Sequence, residues 1–161
     1  MKQDNFKSPD YYSIDNLLSD ENILVRDSVR EWVKNNASPI IEKAAQDDIF
    51  PKIFLKGISE IGGYGAFLPE KYGGSNIDYI SYGLMMQELE RCDSSLRVLS
   101  SVQSSLVMKL IYDYGKEGVK SKYLNRLANG ELIGCFGMTE PSHGSDPSSM
   151  QTKFKKVKNT Y

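Results

Sequence analysis

A mainly α-helical fold that leads into the first strands of a β domain is predicted for this chain of 161 residues. Three observations carry that prediction. Apolar residues recur at three- and four-residue spacing up to about Gly130, and helix-capping residues stand at the head of several of these stretches. The pattern then breaks at residues 133–138, which are short, apolar and glycine-containing. The expected division is an extended lead-in over 1–18, a helical domain over 19–131, and the start of an incomplete β domain over 132–161.

Ser19 is a good N-cap, with Asp20 and Glu21 in the first turn behind it. Val25, Val29 and Val33 follow at four-residue spacing, with Trp32 on the flank, so an amphipathic helix is expected to end near Asn35 and Asn36. Pro39 suits a new helix start, with Ile40, Ile41, Ala44 and Ala45 as its apolar stripe. Pro51 opens the next, which buries Phe54, Ile58 and Ile61 and stops at Gly62 and Gly63. Residues 65–74 read as a turn-rich loop. Asp78 caps a long helix with Tyr82, Met85, Met86 and Leu89 inward. Asp93 or Ser94 starts another, carrying Leu96, Leu99, Val102, Leu106 and Leu110 and closed by Gly115. A last helix, with Val119, Tyr123, Leu124 and Leu127, ends at Asn129 and Gly130. Residues 133–138 then read as a buried strand, 140–149 as a loop, and 151–161 as a strand with one wet face. Two strands alone are marginal in water, so the expectation is a truncated, split or continuing protein.

Composition narrows the function classes. Hydrophobic residues make up 40% and charged residues 25%, enough for a packed core. A net charge of -1 gives no basic face for nucleic-acid phosphates. Two cysteines make no disulfide framework, and one histidine, His143, argues against a Cys/His zinc site, so no metal is expected. No apolar run approaches the ~20 residues of a membrane span. The first residues carry neither a signal-peptide core nor an Arg-rich presequence. The expected location is the cytoplasm, as in bacteria, or the mitochondrial matrix for a processed organelle protein.

Two constellations carry candidate chemistry. The first runs Gly134-Cys135-Phe136-Gly137-Met138-Thr139-Glu140-Pro141, then Ser142-His143-Gly144-Ser145-Asp146-Pro147. A strand entering a loop of small residues and hydroxyls lets backbone N–H groups approach a flat or anionic ligand, and Thr139 and Ser145 each add a donor. Read from the residues alone, a capped strand end accounts for it as well. His143, Ser145 and Asp146 do not make a hydrolase triad, because neighbours in one loop cannot align base, nucleophile and orienter. The second constellation is Glu90, Arg97 and Ser101. From Ser94 to Met108 the helix holds one charge, Arg97, among Leu, Val, Ser and Gln, so it must snorkel to water or meet an anion. Glu90 just upstream offers a structural ion pair as the alternative.

The first string resembles the flavin-contacting signature of acyl-CoA dehydrogenases: aromatic-x-aliphatic-Thr-Glu-Pro, two variable residues, then Gly-Ser-Asp. The resemblance covers nearly the whole chain from about Ser19. It implies an N-terminal helical domain of the acyl-CoA dehydrogenase type and an FAD cofactor. Phe136, Met138 and Thr139 would face the flavin, with Gly144 and Ser145 at the pyrophosphate and Ser145 bordering the acyl-thioester. His143 falls at a variable place. Glu88-Leu89-Glu90-Arg91, Asp93-Ser94, Arg97 and Ser100-Ser101-Val102-Gln103-Ser104-Ser105-Leu106 look like the glutaryl-CoA dehydrogenase branch, where the arginine clamps a distal carboxylate. The substrate residues this implies are Arg97, Val98, Ser101, Glu90 and Ser145. Val98 departs from that pattern, which often has serine there. The implied reaction is α,β-dehydrogenation with decarboxylation to crotonyl-CoA. The implied partners are an acyl-CoA thioester, an electron-transferring flavoprotein and further copies of the chain. No catalytic residue aligns within these 161 residues, since the family's general base lies in a C-terminal helical domain. A chain lacking it is expected to be inactive by itself. The alternative is a non-catalytic helical module for assembly or partner binding.

Overall fold

The computed structural model describes residues 11–158. The lead-in is not wholly extended, since Ile14–Leu17 forms one 3-10 turn, tied to the first helix by Asp15 and Arg26 at 2.7 Å. Residues 1–10 and 159–161 lie outside the described part.

Helix α1, Asp20–Trp32, begins with a capping box. Ser19 Oγ accepts from the Asn22 N–H, and Asn22 Oδ1 accepts from the Ser19 N–H, both at 3.1 Å. The helix does not stop at Asn35 and Asn36. It widens into a π turn over Val33–Ala37 and continues as α2, Ser38–Gln46. Pro39 has no N–H and its ring would crowd the carbonyl four residues back. The wider turn absorbs that, with the Ser38 N–H reaching the Val33 carbonyl. Along α2, Ile41 and Ala44 are half-buried, while Ile40 and Ala45 are exposed. Helix α3, Ile53–Glu60, buries Phe54, Gly57 and Ile58. Gly57 is needed there because a Cβ would lie 2.5 Å from the Trp32 ring.

The turn-rich loop expected over 65–74 is formed, and with Tyr64 just ahead of it supplies part of the core. Tyr64, Ala66, Leu68 and Tyr72 are buried. Helix α4, Tyr79–Cys92, is capped by Asp78, which accepts from the Ile80 and Ser81 N–H groups. It packs on α1 through two polar joints. Asn22 donates to Asp78 (2.9 Å) and Ser81 (2.8 Å), and Arg30 donates twice to the buried carboxylate of Glu88.

Asp93 ends α4 and caps α5, Ser94–Ser101. A second π turn, Val102–Met108, carries the chain into α6, Lys109–Tyr114, which stops at Gly115. This turn shifts the buried face. Leu106 and Leu110, expected inside, are about 40% exposed (41% and 40%), while Gln103, Ser104 and Met108 are fully buried. A 3.6-residue template carried straight through the π turn picks the wrong side. Ser100 and Ser104 donate to the Gly63 carbonyl, and the Gly65 N–H donates to Ser104 Oγ, so the inward hydroxyls fasten the buried loop. Gly65 has φ +64 and lies against Met108 with no room for a Cβ. Helix α7, Glu117–Ala128, buries Leu124, Leu127 and Ala128, whereas Val119 is 40% exposed.

The expected first strands are not formed among the described residues. Residues 133–138 are irregular, and Ile133, Phe136 and Met138 are 43–46% exposed rather than buried. A strand requires a ladder partner, and among the described residues none lies alongside. Glu140 and His143 form an isolated bridge, followed by a 3-10 turn at Pro147–Ser149. Residues 151–157 form no strand either, and Phe154 and Val157 face solvent.

Candidate flavin and acyl-CoA site

The α4–α5 corner brings Glu90 and Arg97 together. Asp93 has extended backbone (φ -164, ψ 136), so the chain turns sharply between the helices. Arg97, one turn into α5, then reaches Glu90 in the last turn of α4. Arg97 Nε donates to Glu90 Oε2 at 2.7 Å, and Ser94 Oγ donates to Glu90 Oε1 at 2.8 Å. Arg97 first, then Ser94, holds the Glu90 carboxyl below its usual range. The pair is half-exposed, 37% for Arg97 and 45% for Glu90. Among the described residues Arg97 uses only Nε, and its two terminal amines bond nothing else. Val98 beside it is 42% exposed. Ser101 turns its hydroxyl back to the Val98 carbonyl at 3.2 Å, which satisfies its donor within the helix.

The second group lies past α7. Glu140 and His143 exchange backbone hydrogen bonds of 3.1 Å across a two-residue turn at Pro141 and Ser142. The turn folds Gly144 back towards Thr139, so that a Cβ on Gly144 would sit 4.0 Å from Thr139 Cγ2. The Glu140 carboxylate accepts from the Gln151 (2.8 Å) and Thr152 (2.7 Å) N–H groups, which hold it below its usual range. Among the described residues no backbone bond occupies the N–H of Phe136, Met138 or Thr139, and no partner meets the Thr139 or Ser145 hydroxyl. Space above Gly137 is open. Exposed, unpaired backbone donors flanked by two free hydroxyls and two half-exposed apolar side chains fit a flat, polar-edged ligand such as FAD. No hydrogen bond joins His143 to Ser145 or Asp146, and Asp146 instead accepts from Ser149. A triad is therefore absent, as is any cluster of metal-ligating residues among those described.

Two buried polar groups were not singled out from the sequence. Glu88 is 1% exposed and sits between Arg30 and Arg91. Its place three residues after Met85, on the inward face, was the available signal. Gln103 is fully buried, and with Ser100 and Ser104 it makes a polar i, i+3, i+4 stripe on the inward face.

Residues 19–131 match the model of the acyl-CoA dehydrogenase N-terminal domain. The chain belongs to the acyl-CoA dehydrogenase family. It is 37% identical over 135 residues to a short-chain specific acyl-CoA dehydrogenase of Clostridium acetobutylicum, covering 84% of this chain and 36% of that protein. An acyl-CoA dehydrogenase of Bacillus subtilis is 33% identical over 144 residues, covering 89% of this chain and 38% of its own length. Among solved structures, a glutaryl-CoA dehydrogenase of Mycobacterium smegmatis in complex with FADH2 superposes with a TM-score of 0.85 at 39% identity. That match covers 88% of this chain and 36% of the other. This acyl-CoA dehydrogenase chain thus spans less than two-fifths of the relatives it matches. Its described helices include none long and apolar enough to cross a membrane.

Proposed function

We propose that this chain is the N-terminal part of an FAD-dependent acyl-CoA dehydrogenase acting on a dicarboxylic acyl-CoA of the glutaryl-CoA type. Arg97 carries the reading. Its Nε is held by Glu90 while its terminal amines stay open at a half-exposed corner. An arginine fork matches a carboxylate in two hydrogen bonds, and a monocarboxylic thioester offers nothing to fill it. The 39% identity to a glutaryl-CoA dehydrogenase supports this choice. Val98, where that branch often carries serine, removes one hydroxyl from the anion's surroundings.

FAD, when bound, accepts the hydride that leaves the acyl β-carbon. The chain's own residues would bind and orient. The backbone at Phe136 and Met138 and the Thr139 hydroxyl would hold the flavin. Gly144 and Ser145 would hold its pyrophosphate, and Ser145 would border the thioester. Glu90 holds the Arg97 fork in place. A proton-abstracting base is assigned to no residue of this chain, so the isolated polypeptide is predicted not to turn over acyl-CoA. The electron acceptor that the family resemblance implies is an electron-transferring flavoprotein, and the enzyme is expected to assemble with further copies.

The test is Arg97→Met in the active enzyme that carries this chain. kcat/KM for glutaryl-CoA should fall by about 2–3 kcal/mol, towards the lower part of the range for truncating a charge pair because Arg97 is partly wet. kcat/KM for butyryl-CoA should change little. Equal losses on both would make Arg97 a structural partner of Glu90 and remove the glutaryl assignment.

A further inference from the structure

Gln103 occupies an unusual position. It lies in the π turn after α5, six residues beyond Arg97 on the same continuous helix, and is fully buried. Both ends of its amide are used across the molecule. Nε2 donates to the Leu127 carbonyl at 2.9 Å and to the Leu132 carbonyl at 2.8 Å, and Oε1 accepts from the Gly134 N–H at 2.8 Å. Leu127 lies at the end of α7, whereas Leu132 and Gly134 begin the segment that leads to Phe136 and Thr139. Gly134 is pressed against the same π turn, since a Cβ there would lie 2.5 Å from Val107 Cγ1. Two independent contacts, one polar and one steric, thus fix the place where the chain leaves the helices.

Resting on the flavin reading above, we infer that Gln103 is a positioning residue for cofactor binding. It ties the first residues of the flavin-facing segment to the helix that carries Arg97, and so sets where the isoalloxazine-contacting backbone stands relative to the anion-binding arginine. An amide suits this task because it supplies two N–H donors and an acceptor together, whereas a hydroxyl has a single donor and an apolar side chain none. The π turn suits it too, because the extra residue lets a polar side chain face inward without ending the helix.

The experiment uses the full chain and the variants Gln103→Met, Gly134→Ala and Ile58→Val. Gln103→Met keeps the volume and removes the amide. Gly134→Ala pushes the segment off Val107 from the other side, and serves if Gln103→Met does not fold. Ile58→Val is a core control in α3, outside the hydrogen bonds of the clamp. Backbone amide hydrogen exchange is followed at Gly134 and, for reference, at Leu124 in α7, and FAD is titrated by flavin fluorescence. Removing the clamp should speed Gly134 exchange relative to Leu124 by about tenfold or more, the effect of losing one net hydrogen bond, and should weaken FAD binding by a similar factor. Ile58→Val should do neither. Unchanged relative exchange at Gly134 overturns the clamp. Faster exchange with unchanged FAD affinity overturns the positioning role and leaves Gln103 a purely structural residue. Absence of FAD binding in the unmodified chain overturns the flavin reading itself, while the exchange data still decide the clamp.

Discussion

Glu88 shows what a single buried charge does in this domain. Its carboxylate is 1% exposed, takes two hydrogen bonds from Arg30 (2.8 and 3.0 Å), and has Arg91 at 3.6 Å. The pair fastens α1 to α4. Glu88→Ala would take the buried carboxylate away from both guanidinium groups, with Asp27 still beside Arg30 at 3.6 Å. Arg30 is 37% exposed and can turn to water, so the expected loss is about 3 kcal/mol, the lower part of the range for breaking a buried pair. Urea denaturation measures it, and a loss under about 1 kcal/mol would show that the pair behaves as an ordinary surface bridge. Arg97 is the contrasting case. Its isolation on α5 was readable as a demand for an anion, and so was Glu90 as a nearby partner. The half-exposed geometry was not readable, because it depends on how Asp93 turns the chain.

At the scale of elements, most helix starts were legible because their signals are local. Ser19, Asp78 and Asp93 all cap as their residue types predict. The two π turns were not legible. They add a residue to the turn without any distinctive composition, and they joined helices that read as separate around Pro39 and moved Leu106 and Leu110 to the surface. This gives a paired prediction. Met108→Ala should destabilise by about 2–4 kcal/mol, whereas Leu106→Ala should cost under about 1 kcal/mol, as measured by thermal or urea unfolding. Similar costs at both positions would mean that the helix is regular and the π turn is absent. The 140–152 loop gives a second prediction, in pH. The Glu140 carboxyl is lowered by the Gln151 and Thr152 N–H bonds, so the tie is complete above the ordinary glutamate value of about 4.3 and is lost as pH falls through the lower folded value. The Gln151 and Thr152 amide shifts should report an inflection below that ordinary value. An inflection at the ordinary value would show the tie to be broken in solution.

For the molecule as a whole, the helical class followed from periodicity up to Gly130, and the first strands did not follow from the apolar run at 133–138. A strand is a property of at least two segments, and a single short run cannot reveal whether its ladder partner is present. Among the described residues the N–H groups of Phe136 and Met138 instead stand unpaired, with both side chains half-exposed beside the hydroxyls of Thr139 and Ser145. Its motif was visible in the sequence, while its attachment through Gln103 was visible only in three dimensions. Under the proposed function this exit segment would meet FAD while the helices around it serve as its mount. Amide chemical-shift mapping of the 161-residue chain during titration with FAD tests it most directly. Weak, saturable shifts are expected at residues 136–145, with α1 and α2 silent. Shifts confined to the helices, or none at residues 136–145 at saturating FAD, would contradict it.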